Sequence, residues 1–536
     1  MDLDDAALGP GAVTARRAWM WTLALIGLIT AVRVAGLFAS PVELYPEEAQ
    51  YWLWSRHLAF GYFSKPPMIA WAIAATTHFG GGEAWVRLTA PLAHGVAALA
   101  MAAAGRRLYD GWTGLWGAVL YSLAPGVQLS SAVIATDCLV MACSALAVLS
   151  YAGWLTSEGA EGRLGWAAGL GVSLGLGALA KYAIVYIALG LGLHAVLSPA
   201  VRRRWRGREV AVAAGVAVAA LSPNLLWNAA HGFQTVAHTA HSADWNEATD
   251  TASVRSPKAH ASLITARAAP GFLLAQLGVF GPIPFVALVV GAALATRRRR
   301  TEAAAPGWSA DGALGCLTAP ALVLILLESL IARANANWAA VAYVPAALLV
   351  AAWLLRWRAG LWLWLTAGSE AAMMAVFLAA AVSPRAADAM HMANSFKRAR
   401  GWEAVDALAK GAARRLGPSS LSAIAVDDRF TFNALAYYGR DDWPAGAPAL
   451  TMWVRESRPG NEAETASPLK DGRRVLFVDI GGAYRQEAMR DFIHVRPLGA
   501  WKVWTDPRHF RDVFMFLGED YRRRLRDPRT GLPVPA

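Results

Sequence analysis

Residues 18–39, AWMWTLALIGLITAVRVAGLFA, are apolar but for Thr22, Thr30 and Arg33, and they decide the class of fold. A helix needs about 20 such residues to cross ~30 Å of hydrocarbon. Reading outward from this run, we find about eleven stretches of that kind, at 18–39, 85–104, 112–127, 137–155, 164–180, 182–197, 209–227, 270–295, 311–333, 338–355 and 360–383. Arg16 and Arg17 precede the first, as in a secretory signal. Its run is longer than a signal core and ten more follow, so it reads as an uncleaved anchor. Composition agrees: of 536 residues, 56% are hydrophobic and 16% charged, and the mean hydropathy is +0.35. Soluble domains are nearer 45–50% apolar and about 25% charged, and disordered chains are more polar still. The expected fold is a polytopic α-helical membrane protein.

The net charge of +12 could suggest a nucleic-acid partner, so the placement of the charges matters. With the N-terminus inside, sixteen Lys and Arg fall in short inner segments: Arg16, Arg17, Arg106, Arg107, Arg163, five between Arg202 and Arg208, Arg297 to Arg300, Arg356 and Arg358. The longer outer segments before residue 384 hold eight: Arg56, Lys65, Arg87, Lys181, Arg255, Lys258, Arg267 and Arg333. The bias predicts a cytoplasmic N-terminus, and the odd number of spans an outer C-terminus. The charge thus records topology and implies no nucleic acid. Cys138, Cys143 and Cys316 all sit in apolar stretches, without a disulfide framework or a Cys-x-x-Cys pair.

From about residue 384 the chain becomes charged and alternates helix with strand: a helix over 401–415, strands near 421–426, 451–455, 475–480, 501–504 and 513–517. This predicts a small outer α/β domain, 384–536, after a membrane domain of 1–383. Its aromatics Trp402, Tyr437, Tyr438, Trp443 and Trp453 read as core. No internal repeat is visible, although many secondary transporters have one.

Ionisable groups retained near a bilayer mark functional sites, and here they gather on the outer side. The first outer loop contains ELYPEEAQYWLWSRHLAFGYFSKPPMIAW, residues 43–71. Pro46 suits a first helical turn, which puts Glu47 and Glu48 at the N-terminus of an interfacial helix. There they could complement the helix dipole or act on a substrate. Lys65, fixed before Pro66-Pro67, could snorkel or hold an anion. Asp137 could cap the fourth span, and Lys181 could mark a turn between spans. Two acids, a further Asp and two lysines on one face suggest instead a transfer reaction on an anionic lipid. The acid takes a proton while the cations hold phosphate. Residues 222–247 add His231, His238 and His241. His238 and His241, three apart, could bind a divalent metal, against a solvated or acceptor-binding reading. Asn337 and Trp338 mark the outer end of span ten.

In order, the segments PEEAQYWLW, GYFSKPPMIAW, ATDCL, LAKYAIVY, SPNLLWNAAHG and NANW resemble the GT-C superfamily of membrane glycosyltransferases. The likeness is to bacterial family 39 proteins, similar to protein O-mannosyltransferases and to the lipid A aminoarabinose transferase, and it spans roughly residues 18–360. It implies an inner-membrane enzyme that takes a sugar from a polyprenyl-phosphate donor on the periplasmic face, with inversion. The acceptor would be an envelope lipid, a glycan or a protein. The first loop of such relatives begins Asp-Glu, and Glu47 stands where the proposed basic Asp would be, with Glu48 matching the Glu. Lys65 matches a lysine that contacts the lipid phosphate, and Asp137 matches the acid between spans three and four. Ser64 stands where some aminoarabinose transferases have an acid. The reading makes Glu47 the base for the acceptor hydroxyl, has Glu48 and Asp137 orient acceptor or sugar hydroxyls, and gives Lys65, Lys181 and Arg333 the donor phosphate, with Tyr62, His231 and Asn337 as acceptor or sugar contacts. A flippase for a lipid-linked sugar is the alternative. It predicts charge through the membrane depth, where the sequence offers mainly Arg33 and Glu328.

Overall fold

The computed structural model describes residues 10–235, 268–301, 307–331, 334–457, 459–470 and 472–527. Among these, eight helices are long and apolar enough to cross a membrane: Val13–Ala39, Glu83–Leu108, Thr136–Thr156, Ala160–Ala180, Gly207–Ala230, Ala310–Glu328, Ala336–Arg356 and Gly360–Val382. The other three apolar runs are irregular. The run 112–127 becomes two helices, Gly111–Leu123 and Pro125–Ala132. Ala124 between them is extended, because Pro125 excludes the helical region for the residue before it. The run 182–197 is a 3-10 turn followed by the short helix Val185–Leu197.

The run 270–295, expected as one span, is instead Ala269–Phe280 and Pro282–Arg297, bent by 119°. Gly281 makes the bend with φ of 99°, and a Cβ there would meet the Glu370 carboxylate at 2.0 Å. Only glycine satisfies both demands.

Small residues set the helix packing, as expected where lipid is as apolar as the protein. A Cβ at Gly114 would lie 2.4 Å from the Ala102 carbonyl oxygen, so the helices 89–108 and 111–123 touch backbone to backbone. Helices Thr136–Thr156 and Ala336–Arg356 form the centre of the bundle, while Gly207–Ala230 and Gly360–Val382 run along its edge.

The C-terminal region carries five strands, β1 (Ala423–Val426), β2 (Leu450–Met452), β3 (Arg474–Ile480), β4 (Phe492–Trp504) and β5 (Phe510–Tyr521). The sheet order is β2-β1-β3-β5-β4. β1 is parallel to β2 and β3, and β5 antiparallel to β3 and β4. The central strands β1 and β3 are buried on both faces. Ile424 and Val426 pack with Val405, Ala409, Phe432 and Leu435, and Ala423 and Ala425 with Trp453, Phe477 and Phe516. Trp402, Tyr437 and Trp453 are therefore core.

Asp427 and Asp479 lie at the carboxyl ends of β1 and β3. Burial pushes the Asp427 carboxyl up to about 8, helped by Asp479 and Asp428, while Arg485 pairs with Asp479. The native state then keeps a proton that the unfolded chain sheds near 3.8, so stability falls as pH rises between those values. The melting temperature of the detergent-solubilised chain is expected to drop from pH 5 to pH 9, and Asp427→Asn to flatten that decline.

Candidate functional site

The first loop is built around one ion pair. Helix Pro46–Ser55 starts with Pro46 at its first position, and Glu48 reaches back to accept a hydrogen bond from the Tyr45 amide at 2.9 Å. The same carboxylate takes Arg87 Nε at 2.9 Å and Nη2 at 2.6 Å, and the Ile134 amide at 2.9 Å. Arg87 also donates to the carbonyls of Val42 and Glu43. Glu48 is 0% exposed and Arg87 3%. The expected role of Glu48 in touching substrate hydroxyls does not fit this geometry, because both of its oxygens are occupied by protein donors. It holds the loop, the helix after Gly82 and the approach to Asp137 in one frame.

Glu47, its neighbour in sequence, points elsewhere. Its side chain is 38% exposed, and Oε1 receives Arg398 Nη2 at 2.7 Å. Arg398 comes from the segment leading into the α/β domain and is itself half exposed. An exposed pair of this kind contributes little to stability, and it leaves Glu47 accessible. Two further contacts clamp the loop to that domain: Glu43 accepts from the Trp402 amide, and the Leu44 amide donates to the Tyr438 hydroxyl at 2.7 Å.

Asp137 and Lys181 meet at 2.9 Å, each about one-fifth exposed. Asp137 sits in the first turn of helix Thr136–Thr156, and Lys181 between helix Ala160–Ala180 and the turn after it. Lys65 is within electrostatic reach of this pair, held by Pro66-Pro67 and by the Tyr62 amide donating to its carbonyl. Burial lowers the affinity of its ammonium for a proton, Lys181 and Arg429 lower it further, and Asp137 offsets them. Among the described residues no carboxylate forms an ion pair with Lys65. Tyr51, one turn after Glu47, is buried, and burial, with Glu47 and Asp137, holds its phenol protonated.

A cavity of about 390 Å³ opens beside Asp137, lined also by Tyr121, Ser130, Asn335, Asn337 and Phe280. Asp137 and Asn337 thus share one space. The helix break at Gly281 adjoins it, which is where non-helical backbone is tolerated at membrane depth. Tyr62 is brought to the loop but committed to it: its hydroxyl lies between the carbonyls of Trp54 at 3.1 Å and His57 at 3.0 Å. His231 caps helix Gly207–Ala230, stacked on Trp227 at 4.1 Å. Arg333, His238 and His241 lie outside the described residues. Among the described residues no three His, Cys, Asp or Glu side chains gather as a ligand set. Arg398 and Arg429 were not singled out by sequence reading. Both are distant from the loop in sequence, in a tail where arginine is common.

Three comparisons bear on this architecture. The family model for dolichyl-phosphate-mannose-protein mannosyltransferase matches residues 64–227. The lipid A galacturonosyltransferase RgtD of Rhizobium johnstonii is 37% identical over 350 residues, covering 64% of this chain and 67% of the relative. Crystal structures of ArnT from Cupriavidus metallidurans, apo and bound to undecaprenyl phosphate, each share the fold with a TM-score of 0.61 at 17% identity, over 92% of this chain and 98% of theirs. Fold and relatives together define a multi-pass membrane glycosyltransferase. More particularly, the chain belongs to the GT-C superfamily, with relatives among the protein mannosyltransferases and lipid A glycosyltransferases.

Proposed function

We propose that this enzyme transfers a sugar from a polyprenyl-phosphate donor to a hydroxyl of an envelope acceptor on the periplasmic face, with inversion at the anomeric carbon. The observation that carries this reading is Lys65, a largely buried ammonium with no carboxylate ion pair among the described residues, within electrostatic reach of the Asp137–Lys181 pair. A buried charge without a counter-ion is costly, and an incoming phosphate removes that cost. Lys65 therefore holds the donor phosphate, with Lys181 beside it and Arg333 as a further cation. Undecaprenyl phosphate bound to the fold relative ArnT supports this class of donor.

Glu47, accessible at the N-terminus of its helix, takes the proton of the acceptor hydroxyl. The acceptor oxygen bonds to the anomeric carbon as the bond from that carbon to the phosphate oxygen breaks. The electron pair leaves on polyprenyl phosphate, which Lys65 stabilises, so no separate general acid is required. Asp137 orients Lys181 and, with Asn337, the sugar in their shared cavity. The name of the 37% identical relative supports a galacturonic acid as the sugar and a lipid A-type acceptor. Purified enzyme given polyprenyl-phosphate galacturonic acid and lipid A is expected to release polyprenyl phosphate and to add one hexuronic acid to the acceptor by mass spectrometry. Intact donor after incubation sinks the reading.

A further inference from the structure

Away from the Asp137 cavity, the first loop and the α/β domain enclose a second cleft, of about 240 Å³. Gln50, Trp54 and His57 line it from the loop, and Arg429, Asn433 and Glu462 from the domain. Polar atoms in this cleft are unused. Asn433 is 2% exposed, and its amide nitrogen has no hydrogen-bond partner. Glu462 Oε2 has none either, while burial pushes its carboxyl up against the opposing pull of the Trp54 side chain and the Phe63 amide. A buried donor left unpaired is costly, and native proteins keep few such groups without a reason. The Arg429 guanidinium stands 4.9 Å from the Phe430 ring centroid, and no described carboxylate forms an ion pair with it.

The chemistry of the cleft is specific: an amide donor, a carboxylate acceptor, and a cation apart from both. Hydroxyls suit the first two groups and an anionic substituent suits the third. The volume lies below the roughly 300–1,000 Å³ of sites for drug-sized ligands, which fits one ring. Its position is also informative. Gln50 and Trp54 follow Glu47 by three and seven residues on one helix, so the cleft lies along the face that begins at the proposed base. Arg429 acts electrostatically on both Lys65 and Tyr51, which places the cationic end toward the reaction site.

We propose that this cleft is an acceptor subsite for one acidic sugar ring, with hydroxyls on Asn433 and Glu462 and the anionic substituent on Arg429. It deepens, and rests on, the transfer reading above. The test uses the full chain in detergent and saturation-transfer NMR with N-acetylglucosamine-6-phosphate, with N-acetylglucosamine as the neutral probe and inorganic phosphate as competitor. The sugar phosphate is expected to bind saturably, and the neutral sugar about tenfold or more weakly, as loss of a charge-assisted hydrogen bond implies. Arg429→Ala is expected to erase that difference and Arg429→Lys to restore part of it. Equal binding by wild type and Arg429→Ala overturns the subsite, as does displacement by inorganic phosphate as effective as by the sugar phosphate. Lys65→Ala is expected to leave this binding unchanged. Its loss there as well assigns the signal to the donor site and overturns the subsite. Transfer with an unaltered acceptor KM in Arg429→Ala also overturns the subsite, while the transfer reading stands. Sugar-phosphate binding without any release of polyprenyl phosphate has the opposite meaning.

Discussion

Glu47→Gln is expected to slow release of polyprenyl phosphate by roughly 10²–10⁴-fold, the usual contribution of a positioned general base. Glutamine keeps the size of the side chain and can still accept from Arg398, so the helix and its contact with the α/β domain persist. What is lost, in the proposed mechanism, is the capacity to take the acceptor proton. Lys65→Ala acts on the other end of the reacting bond. In the proposed mechanism it removes a cation from the leaving phosphate, and removal of one such electrostatic contact costs about 10²–10³-fold. The two losses separate by substrate. Lys65→Ala is expected to weaken donor binding as well as turnover, whereas Glu47→Gln is expected to leave donor binding intact and lower kcat. Arg398→Ala, which frees Glu47 from an exposed pair, is expected to have a small effect on stability by comparison. Transfer measured in membranes supplied with the lipid-linked sugar checks the first two, and thermal melting in detergent the third. Full activity in both Glu47→Gln and Lys65→Ala overturns the assignment.

Glu48→Ala, one residue away, is expected to behave in the opposite manner, destabilising the protein by about 3–5 kcal/mol and depleting it from membranes. The reason is burial. Removal of Glu48 leaves the Arg87 guanidinium charged in a site that is 3% exposed, and it orphans the amides of Tyr45 and Ile134. Arg87→Met leaves the converse, a buried carboxylate without its cation. A double variant, Glu48→Leu with Arg87→Met, is expected to recover part of the loss, because both charges are removed together. Recovery stays incomplete, since each orphaned amide still costs about 1–3 kcal/mol. Folded protein recovered from Glu48→Ala is expected to turn over at a rate closer to wild type than Glu47→Gln does. Thermal melting in detergent, with activity normalised to folded protein, distinguishes the two glutamates. An unchanged melting temperature for Glu48→Ala contradicts the scaffold role.

Much of the membrane architecture was legible in the sequence. All eleven apolar runs correspond to helical segments, eight of them single long helices. The exceptions arose where length and apolarity say nothing about direction: Pro125 and Gly281 break runs that composition alone reads as continuous. In the α/β region, strand positions were readable from alternation. That the last two strands form an antiparallel hairpin beside a parallel β1–β2–β3 unit was not. Of the site residues, Lys65, Asp137 and Lys181 stood out as sparse charges on one side, and the structure brings them together.

The sequence alone determined that this chain spans a membrane repeatedly and that few charges are available to act near it, because hydropathy and charge are properties of short segments. The tertiary structure decided what adjacent residues do. Glu47 and Glu48 are the same amino acid one position apart, at one helix end. One faces Arg87, 39 residues distant, in the interior, and the other faces Arg398, 351 residues distant, at an accessible edge. A carboxylate is locked into the scaffold or left accessible through its partners and its access to solvent, and both are set by chain segments that meet only in the folded protein.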